Sequence, residues 1–154
     1  MAKRRPRRKP LTPYCYVVEI DGWDWSFSFG VNRSRIRDDP YMDFRHLEVT
    51  GPLLAPKKVK ADRAELCIIP KLDLNQVARQ ADQPLAVGSL DLHGGRLHGY
   101  LSMPLDTLES VLRMLDTGKL RFVVMDGEHL RYRKALIHHY RLQRELTEDD
   151  LPLE

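Results

Sequence analysis

Residues 14–31, YCYVVEIDGWDWSFSFGV, form the most apolar and most regularly patterned stretch of this 154-residue chain. Asp21-Gly22 lies in its middle, and this dipeptide favours a two-residue turn that needs positive φ at both positions. The turn predicts a β-hairpin with four cross-strand pairs: Ile20 with Trp23, Val18 with Trp25, Tyr16 with Phe27, and Tyr14 with Phe29. Because all eight side chains fall on one face, the period of 2 and the turn agree on one register.

The aromatic residues of this hairpin have two interpretations. Small barrels that bind single-stranded nucleic acid use strand aromatics, surrounded by basic residues, as a stacking platform. Here the same face carries aliphatic and tyrosine side chains rather than cations. We therefore expect four aromatic residues to lie in the hydrophobic core: Trp23, Trp25, Phe27 and Phe29.

A second hairpin is predicted over residues 85–103, because Gly94-Gly95 suits a two-residue turn. Its cross-strand pairs are Leu92 with Leu97 and Leu90 with Gly99. Between the two hairpins, residues 42–50 and 59–69 predict extended segments. Gly51-Pro52 and Pro56 end the first, and Pro70 ends the second.

Residues 104–117 predict a helix. Apolar side chains recur there at spacings of three and four, Asp106 with Glu109 forms a pattern similar to a capping box, and Gly118 suits a left-handed closing conformation. Because a helix of about three turns is not stable alone, it must lie on a sheet or plug the end of a barrel. Residues 72–81 predict a second, short surface helix.

A third hairpin is predicted around Asp126-Gly127. A two-residue loop there would place arginines opposite apolar residues, so we prefer a three-residue loop of residues 125–127, with Gly127 at positive φ. This register pairs Phe122 with Leu130 and Leu120 with Tyr132.

Together these elements predict a mostly β fold. We expect a single-domain antiparallel β-sandwich or partly closed barrel of about eight strands, with one short amphipathic helix between strands six and seven. The composition divides the chain into a disordered basic arm at residues 1–12, the β domain at 13–144 and a flexible acidic tail at 145–154.

The basic arm is the feature of the sequence that indicates a binding partner. Its cations are Lys3, Arg4, Arg5, Arg7, Arg8 and Lys9. A disordered arm of this kind neutralises phosphates without a fixed base-reading geometry, so we expect weak, non-specific contact with a nucleic-acid backbone. The alternative is a terminus that only aids solubility.

Cys15 and Cys67 are the only cysteines, and no apolar run approaches the length of a membrane span. We therefore expect a cytoplasmic protein with both thiols reduced and no membrane span. The sequence contains no phosphate-binding loop, nucleophile elbow or cofactor motif, and we predict no cofactor.

Asp91, His93 and His98 form the best cluster for an enzymatic site. The Gly94-Gly95 turn places all three on the polar face of the second hairpin, and two imidazoles with a carboxylate suit zinc or iron. The competing interpretation is a solvated face, since the opposite side of that hairpin is apolar.

Two functions follow. The preferred one is a non-enzymatic module that binds another protein through edge strands or loops, with the basic arm adding nucleic-acid contact. The alternative is a small metal-dependent hydrolase that uses Asp91, His93 and His98.

Overall fold

The computed structural model describes residues 14–33, 39–79 and 85–151. Within them lie two α-helices, α1 (Leu74–Arg79) and α2 (Leu108–Asp116), and 3-10 turns at Leu105–Thr107 and Glu148–Asp150. Neither α-helix has the length and apolar character that a membrane crossing demands of a helix. The strands are β1 (Tyr14–Glu19), β2 (Gly22–Val31), β3 (Tyr41–Ala55), β4 (Arg63–Lys71), β5 (Gly88–His93), β6 (Arg96–Pro104), β7 (Phe122–Gly127) and β8 (Lys134–Gln143).

The eight strands form one sheet in the order β1-β7-β8-β5-β6-β4-β3-β2. An additional pairing of β1 with β3 closes seven of these strands into a barrel and leaves β2 as an outer strand. The β4–β6 ladder is parallel and the other ladders are antiparallel. The predicted mostly β fold, with one short helix between strands six and seven, is confirmed, and the architecture is a barrel with an added strand.

Alternate residues of the seven barrel strands fill the interior, as the period of a strand requires. The largest fully buried side chains are Tyr16, Leu47, Leu66, Ile68, Leu90, Leu97, Leu101, Met125, Ile137, Val17, Val18 and Val49. Helix α2 packs its predicted apolar stripe against this core through buried Val111 and Leu115. Gly118 has φ of 69°, the left-handed closure expected, but no side chain caps the helix start, so the capping-box prediction is wrong.

Closure of the barrel depends on β3, which continues through Gly51-Pro52 and ends at Ala55, directly before Pro56, the second of the predicted ends. A Cβ at Gly51 would lie 1.6 Å from the carbonyl oxygen of Glu19 in β1, so only glycine fits where the two strands meet. Beyond it, Leu53 pairs with Val18 and Ala55 with Val17. The predicted end at Pro70 is wrong, since β4 runs one residue further.

The turn and the register of the β5–β6 hairpin match the sequence prediction, although its strands begin at Gly88 and end at Pro104. Gly94 and Gly95 have φ of 60° and 75°, the left-handed pair that the turn needs. The expected partners are observed, Leu92 with Leu97 and Leu90 with Gly99.

The predicted first hairpin is wrong. β1 pairs with β7 and β3, whereas β2 pairs with β3 alone, from Gly22 opposite Thr50 to Val31 opposite Tyr41. Neither Asp21 nor Gly22 has positive φ. The backbone there is held by long-range bonds instead, since the Ile20 N–H donates to the Arg121 carbonyl at 2.7 Å and the Asp21 N–H to the Thr50 carbonyl at 3.0 Å.

The predicted register of the third hairpin is also wrong. Asp126 and Gly127 belong to β7, and the chain turns later, at Tyr132 and Arg133, which have φ of 52° and 65°. The β7–β8 ladder shifts where Asp126 faces His139 but Gly127 faces Ile137. His138 is thus an extra residue in β8, and such a bulge lets the strand change which side chains face the core.

The acidic end of the chain was expected to fray, yet its first part is docked on the barrel wall. Leu146 packs against a second apolar cluster on the outer side of β1 and β7, built from Val17, Ala55 and Val124. Asp150 is 2% exposed and accepts hydrogen bonds from Arg141, Gln143 and the Thr147 backbone. Burial opposes ionisation of Asp150, but these donors outweigh it and lower its pKa. The domain limits proposed from composition stay a prediction.

Candidate functional site

A two-stranded ribbon, which consists of β2 and residues 41–50 of β3, carries most of the exposed large hydrophobic side chains among the described residues. Its ladder runs through ten paired positions without a bulge. β4 pairs with β3 only from Leu47 to Pro52, so the outer part of the ribbon extends past the barrel wall. Within the described ranges, the far edge of β2 has no strand beside it.

One side of the ribbon continues the barrel interior outward. We call it the aromatic face, and its members are Trp23, Trp25, Phe27, Phe29, Val31 and Tyr41. At its base, Leu47 opposite Trp25 and Val49 opposite Trp23 are fully buried in the core. Further out the cover ends, and the exposed fraction of the side chain is 64% at Phe27, 66% at Phe29, 68% at Val31 and 61% at Tyr41.

The aromatic face therefore does not form the predicted core. Trp25 is half-buried against the core, but Trp23, Phe27 and Phe29 are exposed, so that interpretation is wrong for these three. The rings of Phe29 and Tyr41 stack at 5.4 Å between centroids, which holds the outer end of the face together.

The opposite side of the ribbon is also apolar at its outer end. Met42 and Phe44 are exposed there, and the Phe44 ring lies 5.1 Å from the imidazole of His46. Seven of the thirteen exposed large hydrophobic side chains among the described residues thus belong to this ribbon. A concentration of exposed apolar side chains is typical of interaction sites, whereas single exposed apolar residues need no explanation.

The ribbon does not attract anions. Arg45 lies on the aromatic face but is paired with Asp43 at 2.6 Å. The two strands of the ribbon, residues 22–31 and 41–50, have one arginine against three acidic residues. A nucleic-acid platform needs cations around its aromatics, so the charge favours a protein partner.

Asp91, His93 and His98 do reach one face of the β5–β6 hairpin, as predicted. Asp91 faces His98 across the ladder, and the two imidazoles are 6.5 Å apart between centroids. His98 Nδ1 lies 3.4 Å from Glu65, which also accepts a hydrogen bond from Arg96 at 2.5 Å. In the part of the chain described here, no set of three or more His, Cys, Asp or Glu side chains is arranged to hold a metal ion. The geometry gives the hydrolase alternative no support.

The thiols are also not activated. Burial, together with Asp126, raises the pKa of Cys15 to about 11, and burial with Glu48 raises the pKa of Cys67. Both groups are therefore protonated near neutral pH, whereas a nucleophilic cysteine needs a depressed pKa.

An open depression of about 500 Å³ lies between the end of β3, the loop at residues 56–62 and Gly95. Its lining contains Lys57, Lys60 and Asp62 but no histidine, cysteine, serine or tyrosine. Apart from the two lysines and Asp62, the lining therefore contains none of the side chains that usually act as nucleophiles in covalent catalysis.

The predicted nucleic-acid contact falls outside the described residues. All six of its cations belong to residues 1–13: Lys3, Arg4, Arg5, Arg7, Arg8 and Lys9. Their contact with a phosphate backbone stays a prediction.

Because the sequence predicts β1 as the partner of β2, it does not predict that Tyr41, Met42 and Phe44 of β3 belong to this surface. A signal against the β1–β2 hairpin is present in the sequence. β1 is apolar at nearly every position, as in a strand covered on both sides, whereas β2 alternates with serines and aspartate. The two strands of a hairpin share the surroundings of both faces of the sheet, so this difference argues against pairing β1 with β2.

The chain matches no protein-family model, no curated protein and no solved structure.

Proposed function

We propose that this protein is a non-enzymatic binding module, which recognises another protein through the β2–β3 ribbon. The observation that carries the proposal is the concentration of exposed large hydrophobic side chains on the outer part of the ribbon. Exposing them to water is unfavourable by about 25 cal/mol for each Å² of apolar surface, and a partner removes that cost.

The composition of the ribbon supports a protein partner. Interface centres are rich in aromatic residues and methionine and poor in unpaired charge, and the outer ribbon has this composition, with Asp43 and Arg45 neutralising each other. The surrounding rim carries charged side chains such as Asp24 and Glu48. We expect Phe27 and Phe29 to be the energetically dominant contacts, because they are rigid, large and central to the face.

The basic arm belongs to the same proposal as an accessory contact. Residues 3–9 neutralise phosphates of a nucleic acid in the cytoplasm without reading its sequence, so binding is weak and falls steeply with salt. Fluorescence anisotropy with a labelled oligonucleotide, at two salt concentrations, compares the full chain with a truncation that lacks residues 1–10. Equal binding by the two would contradict a role for the arm.

Photocrosslinking tests the protein interface. A benzoyl-phenylalanine placed at Phe29, in cells that naturally contain this chain, should form a covalent adduct with one defined protein other than the chain itself. Tyr100 is the matched control, because it is 60% exposed and lies on β6, which β4 separates from the ribbon.

The result expected is an adduct from position 29 that position 100 does not form, and its loss when Phe27 is also changed to serine. Adducts of equal pattern from both positions, or none from position 29, would exclude the ribbon as the interface.

A further inference from the structure

The free edge of β2 is a surface distinct from the aromatic face. A sheet edge presents a row of backbone N–H and C=O groups that can pair with another strand. β2 offers ten residues in an unbroken ladder with β3, and no other described strand pairs with its far side.

Proteins that remain monomeric protect such edges with lysine, proline, bulges or very short strands. β2 has none of these. Its sequence, GWDWSFSFGV, contains no lysine, arginine or proline, and Asp24 is its single charged residue. The edge is thus long, free of bulges and nearly uncharged.

The sequence of β2 is also complementary to itself. In an antiparallel pair centred on Phe27, that residue faces its own copy, and all five odd-numbered positions of the strand meet apolar partners. The pairs are Phe27 with Phe27, Trp25 with Phe29, and Trp23 with Val31. Aromatic and aromatic–β-branched cross-strand pairs are favourable, and no acidic residue faces another.

We propose that this protein forms a two-fold symmetric dimer in which β2 pairs antiparallel with β2 of a second copy, in the register centred on Phe27. The contact is isologous, so it closes on itself instead of growing into a fibre. The two sheets become continuous, and the aromatic faces of both copies lie side by side on one surface. The dimer goes beyond the proposed function, because it uses the backbone edge of β2, whereas the proposed function uses the aromatic face.

A charge-reversal pair tests both the edge and the register. Ser26 and Ser28 are exposed and face each other across the proposed dimer axis. S26K/S28K places two lysine–lysine pairs in the contact, and should raise the dimer dissociation constant by about tenfold, since like charges directly opposite are unfavourable. S26K/S28E places two lysine–glutamate pairs there and should retain the dimer. Sedimentation equilibrium of the full chain measures both, with thermal unfolding as the check that each variant folds.

Cysteine trapping gives a second measurement. F27C should form a disulfide-linked dimer under mild oxidation, because directly opposite strand residues have Cα atoms about 4.5–5.5 Å apart, within disulfide range. Y100C is the matched control and retains the same two native thiols, so it should not cross-link.

A chain that sediments as a monomer at every concentration, or a dimer that S26K/S28K leaves intact, overturns the proposal. Equal weakening by S26K/S28K and S26K/S28E, or equal trapping of F27C and Y100C, overturns the register. In the dimer Phe29 faces Trp25 of the second copy, so position 29 can also cross-link the chain to itself. The adduct with a different protein is distinguished by its mass, so failure of the dimer and failure of the binding function are separable.

Discussion

β1 and β2 follow each other in the chain, and both are rich in apolar residues, yet their surroundings are opposite. Tyr16 and Val18 face the barrel interior, and Val17 on the other side lies under Leu146, so β1 is covered on both faces. The outer half of β2 is covered on neither, and Phe27 and Phe29 face outward. The difference teaches that apolar content alone does not decide whether a strand is buried: β1 is buried by its own chain, whereas the outer half of β2 stays exposed among the described residues.

The largest effect is expected where β1 is closed into the barrel. Gly51→Val places a branched side chain against the Glu19 carbonyl, at a position where even a Cβ lies at 1.6 Å. The clash is with backbone and cannot be relieved by a side-chain rotation, so we expect loss of the cooperative fold. Circular dichroism and thermal unfolding measure it. Gly30→Val is the control, since a Cβ there meets nothing within 4 Å, and a similar loss in both variants would contradict the closure.

A smaller effect is expected from deleting atoms inside the covered strand. Val18→Ala removes two methyl groups at a fully buried position, and should lower the free energy of unfolding by about 2 kcal/mol. Urea unfolding measures the change. A variant as stable as the wild type would mean that β1 is not part of the core.

The acidic segment that covers the outer side of β1 should contribute less to the free energy of unfolding than Val18 does. Asp150→Asn replaces a buried carboxylate that accepts hydrogen bonds from Arg141 and Gln143, and should cost about 1–2 kcal/mol near neutral pH. Because its pKa is lowered in the folded state, the carboxylate stabilises above the unfolded pKa of about 3.9, and this contribution is lost as the pH falls through the folded pKa. The gap between wild type and variant should therefore shrink in acid.

The exposed Asp149→Asn is the matched control for this variant. It should leave unfolding unchanged at all these pH values. A constant gap for Asp150→Asn down to strongly acidic pH would exclude ionised Asp150 as the source of the stability.

The smallest effect on stability is expected on the ribbon. Phe29→Ala should change the free energy of unfolding by no more than about 0.5 kcal/mol, because little of the ring is covered in the single chain. Urea unfolding of the dilute chain measures it. A loss as large as that of Val18→Ala would show that Phe29 is packed by its own chain, and would remove the contrast between β1 and β2.

The comparison also explains which elements the sequence predicts. The β5–β6 register follows from Gly94-Gly95, because a two-residue turn of positive φ fixes both strands through local geometry. Asp21-Gly22 offers the same local preference, but the flanking backbone gains its hydrogen bonds from Arg121 and Thr50. Those partners are distant in sequence, and no local pattern encodes them.

The candidate site could be predicted only in part. Phe27 and Phe29 were visible as an aromatic strand, but their exposure depends on how far β3 extends past β4, which is a property of the assembled barrel. The Gly94-Gly95 turn predicts that Asp91, His93 and His98 share one face. Glu65, which binds Arg96, lies instead on β4, a strand that pairs with β6 through a parallel ladder.

The closure of the barrel through β1 also has a consequence during synthesis. The Tyr16 hydroxyl donates a hydrogen bond to the Glu128 carbonyl, 112 residues later in the chain. At about 5–20 residues per second, translation leaves the first strand without its β7 partner for roughly 6–20 s. During that interval a strand that is apolar on both sides lacks one of its two neighbours, although in the finished molecule its central residues are fully buried.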